Sequence, residues 1–94
     1  MGNASQVIET FPKFDLSNPV HLDMRKEMTD LHWNHTSALQ RGVLTTAIRY
    51  RGRAEGLERV SRLVLKDNEL SWLCFCLVCS FETMEELYQV RAAA

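Results

Sequence analysis

Apolar residues are spaced one-sidedly along most of this chain, with one exception. In Leu70–Phe81 (LSWLCFCLVCSF) ten of twelve residues are hydrophobic, and only Ser71 and Ser80 interrupt the run. The other segments need this one to pack against. Upstream, Val20, Met24, Met28 and Leu31 recur at spacings of four, four and three, which predicts an amphipathic helix with one apolar stripe. Asn18 or Ser17 can cap it, and Pro19 suits its first turn, where a missing N–H costs nothing. The stripe runs to about His35, beyond which Thr36-Ser37 and Gly42 weaken it.

From Val43 the texture changes. GVLTTAIRYRG is rich in β-branched and aromatic residues, and Gly52 and Gly56 bracket a short connection. In ERVSRLVLK, Val60, Arg62 and Val64 alternate with Ser61, Leu63 and Leu65, and Asp67-Asn68 is a turn signal. If Leu70–Phe81 is extended, Leu73, Phe75, Leu77, Cys79 and Phe81 face one way. Trp72, Cys74, Cys76, Val78 and Ser80 then face the other, as in a strand covered on both sides. The same apolar positions also fit helices, so periodicity alone leaves both readings open. Composition and turn spacing favour strands.

The tail TMEELYQVRAAA reads as a helix, with Thr83 and Glu86 forming a capping box. Residues 9–19 hold Pro12 and Pro19 among Phe11, Phe14 and Leu16, an extended arm. The expected fold is α+β. It has an N-terminal helix, a three-stranded antiparallel sheet (about 43–51, 58–66 and 70–81) and a C-terminal helix; an all-α small bundle is the alternative. Residues 1–17 form a flexible arm and 18–94 one small domain.

Ninety-four residues make a single domain, and the net charge of −1 favours no class of partner. The distribution is uneven. Seven bases face two acids between Arg41 and Lys66, and one base faces five acids from Asp67 onward. Three closely spaced cysteines do not make a disulfide framework, and a twelve-residue apolar run is shorter than the ~20 residues a membrane span needs. With no basic-then-apolar leader at the N-terminus, an intracellular, reducing compartment is expected, at a peripheral membrane position in the cytoplasm.

That position rests on the opening MGNASQVIETF. Loss of Met1 exposes Gly2 ahead of small and polar residues, the chemistry of an N-myristoylation acceptor, although Ser5 stands one place before the usual Ser/Thr and Gln6 fills that site. The segment resembles known myristoylated N termini. Among them are the protein kinase A catalytic subunit, through Met1-Gly2-Asn3-Ala4, and the orthoreovirus outer-capsid penetration protein, through Met1–Ser5 and the pair Val7-Ile8. The resemblance covers at most eleven residues and implies a lipid on Gly2, with no family membership.

Other constellations carry less. Cys74, Cys76 and Cys79 with His32 and His35 are soft ligands of the kind zinc takes, but the run lacks the turns that let paired cysteines grip one ion. They read as three buried small hydrophobes, with no cofactor or metal expected. No histidine is placed beside a cysteine, and no phosphate-cradling glycine loop exists, so no enzyme is expected. Trp33 reads as a core or interface residue.

Arg49, Arg51 and Arg53 would share a strand face opposite Tyr50. With Arg59 and Arg62 they form a candidate site for anionic lipid or phosphate. The leading expectation is a non-enzymatic, membrane-associated accessory or adaptor protein of a kind common among viral accessory factors. A lipid on Gly2 would supply one membrane signal and Arg49–Arg62 the second. The alternatives are a nucleic-acid-binding module using the same arginines, and a dimerising, partner-binding domain. The interface of the last would hold Trp72, Phe75 and Leu77.

Overall fold

The computed structural model describes residues 12–93. Among these every regular element is helical. Helix α1 spans Pro19–Gln40 and α2 spans Leu44–Arg59, running on into a π-helical turn at Val60–Val64; α3 spans Asn68–Ala93. The expected sheet over 43–51, 58–66 and 70–81 is therefore absent from the described residues, and the all-α alternative is the fold that forms.

The reason lies in a spacing that the strand reading passed over. Ala47, Tyr50, Ala54, Leu57 and Ser61 recur at three, four, three and four, one face of a helix. Ala47, Ala54 and Ser61 are fully buried, whereas Ile48, counted as a strand residue, is exposed. Gly52 and Gly56 do not punctuate the chain; both sit inside α2 with open space where a Cβ would project.

The same holds for the apolar run. Leu70, Cys74, Val78, Phe81 and Glu85 face inward from α3, while Trp72 and Phe75 face solvent. A run apolar on both sides is here one helix with a buried face and an exposed one. Val78 is its only β-branched residue. A helix also satisfies its backbone internally, whereas a strand needs neighbours to do so. The tail is no separate helix either. Thr83 lies within α3 and donates its hydroxyl to the Cys79 carbonyl at 3.0 Å, so it caps nothing.

Local chemistry fixes the helix ends. Asn18 Oδ1 accepts from the Val20 N–H at 2.9 Å, with Pro19 in the first turn, as the sequence predicts. At the other end of α1, the Val43 N–H reaches the Ala38 carbonyl (2.9 Å) and the Gly42 N–H reaches that of Leu39 (3.0 Å). This is a Schellman closure, and it places Gly42 at φ +76°, where a side chain is strained. Asp67 Oδ1 accepts from the Leu70 N–H at 3.1 Å and caps α3.

Two clusters form the core. Met24 and Met28 meet Leu70 and Cys74, with Phe14, Leu57, Leu73 and Leu77 around them. Leu31 meets Ala54, Val78 and Phe81, with Tyr50, Leu57, Leu77 and Met84 around them. Early residues of α1 pair with early residues of α3, and late with late, so these helices run parallel and α2 returns between them. The described part of the arm is anchored. Phe14 packs on the first cluster, and the Asp15 N–H donates to His21 Nδ1 at 2.9 Å.

Candidate functional site

Two histidines on α1 join the inward stripe at spacings of three and four: His21, Met24, Met28, Leu31, His35. Each reaches a carboxylate on the α3 side. His21 Nδ1 accepts from Asp15, so its proton sits on Nε2, which donates to Asp67 Oδ2 at 2.7 Å. His35 Nε2 lies 2.9 Å from Glu85 Oε2, and its ring stacks on Phe81 with centroids 4.0 Å and planes 7° apart. Arg51 of α2 grips the same carboxylate, its Nε 3.1 Å from both oxygens.

A histidine held by a carboxylate can serve as a general base if its other nitrogen meets a substrate. Here it does not. His35 is fully buried and its Nδ1 has no hydrogen-bond partner among the described residues, while both nitrogens of His21 are engaged. These polar groups are clasps that hold α1, α2 and α3 in register. The sequence carried a signal for them, since His21 and His35 fall on the stripe that defines α1.

The arginines divide. Arg51 turns inward to Glu85 and also lies near Glu55 and Glu82. Arg62 is exposed but bonded to Glu58 through Nε at 3.0 Å, an arrangement that lowers the Glu58 pKa. Arg49, Arg53 and Arg59 are exposed. Arg49 and Arg53 are one helical turn apart, and the Arg53 guanidinium lies 5.3 Å from the Tyr50 ring centre. The helix thus separates Arg51 from the face that a strand would have given all three. Of five candidate anion-binding arginines, four face outward, and three of these (Arg49, Arg53 and Arg59) form no ion pair among the described residues.

The cysteines divide as well. Only Cys74 is buried; Cys76 and Cys79 are exposed, which corrects the expectation of three core thiols. Burial pushes the Cys74 thiol pKa up, and the Ser61 hydroxyl 3.9 Å away opposes that only in part. Cys76 and Cys79 fall on the outward face of α3, with Trp72 and Phe75 at helical spacing. Trp72 is 50% and Phe75 56% exposed. Leu77, grouped with them on the sequence, is partly buried and bridges the two core clusters.

This outward face is part of a wider imbalance. Among the described residues, six large hydrophobics are buried (Met24, Met28, Leu31, Leu70, Val78, Phe81) and fourteen are exposed, Trp33 at 67% among the latter. Scattered exposed apolar residues are ordinary; Trp72 and Phe75 differ in lying one helical turn apart on the same face of α3.

Gly2 and the rest of the acyl-acceptor pattern lie outside the described residues. Among those described, no helix is long and apolar enough to cross a membrane. No three histidine, cysteine or acidic side chains among them come together to hold a metal ion. No family model, curated protein or solved structure matches the chain.

Proposed function

We propose that this chain is a non-enzymatic interaction domain that pairs with a second copy of itself through the outward face of α3. The carrying observation is the half-exposed pair Trp72 and Phe75, on a helix whose opposite face is already packed. Two aromatic rings at half exposure offer roughly 200 Å² of apolar area. At ~25 cal/mol per Å² that is worth on the order of 5 kcal/mol per copy, the scale of an interface hot spot. A two-fold pairing uses the same patch on both copies, with the two rings at its centre and neighbouring exposed apolar residues completing the area a stable interface needs.

The test is light scattering over a dilution series. A dimer that Trp72→Asp with Phe75→Asp converts to a monomer, with the far-UV circular dichroism unchanged, supports the reading. A chain that stays monomeric at hundreds of micromolar overturns self-pairing.

A second reading is favoured by the N-terminal pattern Met1-Gly2-Asn3-Ala4-Ser5. Acylation of Gly2 would add peripheral attachment to an anionic membrane. One acyl chain binds only marginally, and of the five clustered arginines Arg49, Arg53 and Arg59, which form no ion pair among the described residues, would supply a second signal. Intact mass after co-expression with the acyl-transferase tests the lipid. Vesicle co-sedimentation with and without these three arginines tests the second signal.

A further inference from the structure

The helical form of Leu70–Phe81 changes what its cysteines can do. Cys74 is buried, and Cys76 and Cys79 stand exposed one turn apart on α3. We propose that this thiol pair is half of a zinc site, completed by the same pair from a second copy of the chain. The proposal rests on the pairing through the outward face of α3 and names the ligand that this pairing would hold.

Structural zinc takes four protein ligands in a tetrahedron, and soft thiolates are among those it favours. Each chain offers two, and no third histidine, cysteine or acidic group joins them among the described residues. The site is therefore incomplete without a partner copy. Trp72, Phe75, Cys76 and Cys79 follow one another at steps of three, one and three, a single stripe on the exposed side of α3. A two-fold axis duplicates every group beside it. An axis that crosses this stripe beside Cys76 and Cys79 brings four thiols together.

The helix also removes the objection that the run lacks a gripping turn. With Zn–S bonds of ~2.3 Å, two sulfurs on one tetrahedral zinc stand about 3.8 Å apart. Residues three apart on a helix have Cβ atoms about 5–6 Å apart, and two exposed side chains can turn their sulfurs toward each other to that spacing. The donor set selects the occupant. Four thiolates suit zinc, whereas magnesium and calcium take oxygen ligands. Binding exchanges protons for metal: one Zn²⁺ and four thiols give a zinc tetrathiolate of charge −2 and four protons, with no oxidation or reduction.

Cobalt(II) is the optical probe, titrated into the full, unacylated chain in a phosphine reductant. We expect the intense visible bands of a tetrahedral cobalt thiolate, saturating at one metal per two chains and abolished by zinc, whose closed shell gives none. Light scattering should show dimerisation tightened on the order of 100-fold over that in EDTA, with free zinc buffered about a hundred times above its dissociation constant. Cys76→Ser and Cys79→Ser should each abolish the bands and the tightening. Both positions are exposed, so the far-UV circular dichroism should not change. A dimer in EDTA that takes up no cobalt, or one cobalt per chain, overturns the zinc site and leaves the pairing standing. A chain that is monomeric with and without zinc overturns both.

Discussion

His21 Nε2 donates to Asp67 Oδ2 at 2.7 Å, and the other oxygen of the same carboxylate caps α3 by accepting from the Leu70 N–H. One side chain thus starts a helix and ties it to a neighbour. The Leu70 N–H is the largest cause holding the Asp67 pKa below the ordinary 3.8, and His21 pulls the same way. A carboxylate with a lowered folded pKa contributes stability that is fully present above its unfolded value. That stability is lost as pH falls through the folded value. Asp67→Ala should therefore cost about 1–2 kcal/mol at neutral pH, the usual worth of a cap. Urea midpoints of the parent and the variant should converge as pH falls from 5 toward 2.

Glu85 is nearly buried and shared between His35 and Arg51. Taking away one partner of a buried charge leaves that charge undercompensated. Arg51 is itself a quarter exposed, so solvent covers part of the loss. Arg51→Met is expected to destabilise by about 2–3 kcal/mol in urea unfolding. Arg53→Met, on the exposed face one turn away from Arg49, should change stability by no more than about 0.5 kcal/mol. Equal effects would mean that Arg51 is a surface cation like its neighbour.

Much of α1 was legible. Asn18, Pro19 and the Met24–Met28–Leu31 stripe mark its start and its buried face, though Val20 is exposed and the helix runs past His35 to Gln40. The middle of the chain was not. β-branched Val43, Thr45, Thr46 and Ile48 argued for a strand, yet what decides the structure is the inward set Ala47, Tyr50, Ala54 and Leu57. Alanine carries little weight in a hydrophobicity count, but it lets helices approach closely. The apolar run misled in another way, because its solvent-facing side is apolar too. Trp72 and Phe75, grouped with Leu77 on the sequence, turn out exposed, and Leu77 was not separable from them without the helix.

Gly52 and Gly56 test the helical assignment of the middle segment. Both lie in α2, and an added Cβ would meet nothing within 4 Å. Glycine in a helix interior loses more backbone freedom on folding than alanine does, at a cost of about 0.5–1 kcal/mol. Gly52→Ala and Gly56→Ala should each stabilise the chain by that amount, nearly additively. Gly42→Ala should do the opposite, because Gly42 holds φ +76° in the closure of α1. Thermal melts of the three single variants supply the comparison.

The cysteines separate helix from strand chemically. In a strand over 70–81, Cys74 and Cys76 share a face and Cys79 lies opposite. In α3, Cys76 and Cys79 are exposed together and Cys74 is buried. The thiolate is the reactive form, and burial raises the Cys74 thiol pKa, so Cys74 is protected both by access and by protonation. Brief treatment of the native chain with iodoacetamide near pH 8 should modify Cys76 and Cys79 and spare Cys74, as read by peptide mass. Denaturant should release the third site. A native chain in which Cys74 reacts as fast as Cys76 would contradict the packing of α3 against Met28 and Ser61. Because Trp72 and Phe75 lie on the same face, self-pairing should slow Cys76 and Cys79 as protein concentration rises, while Trp72→Asp with Phe75→Asp should keep both fast.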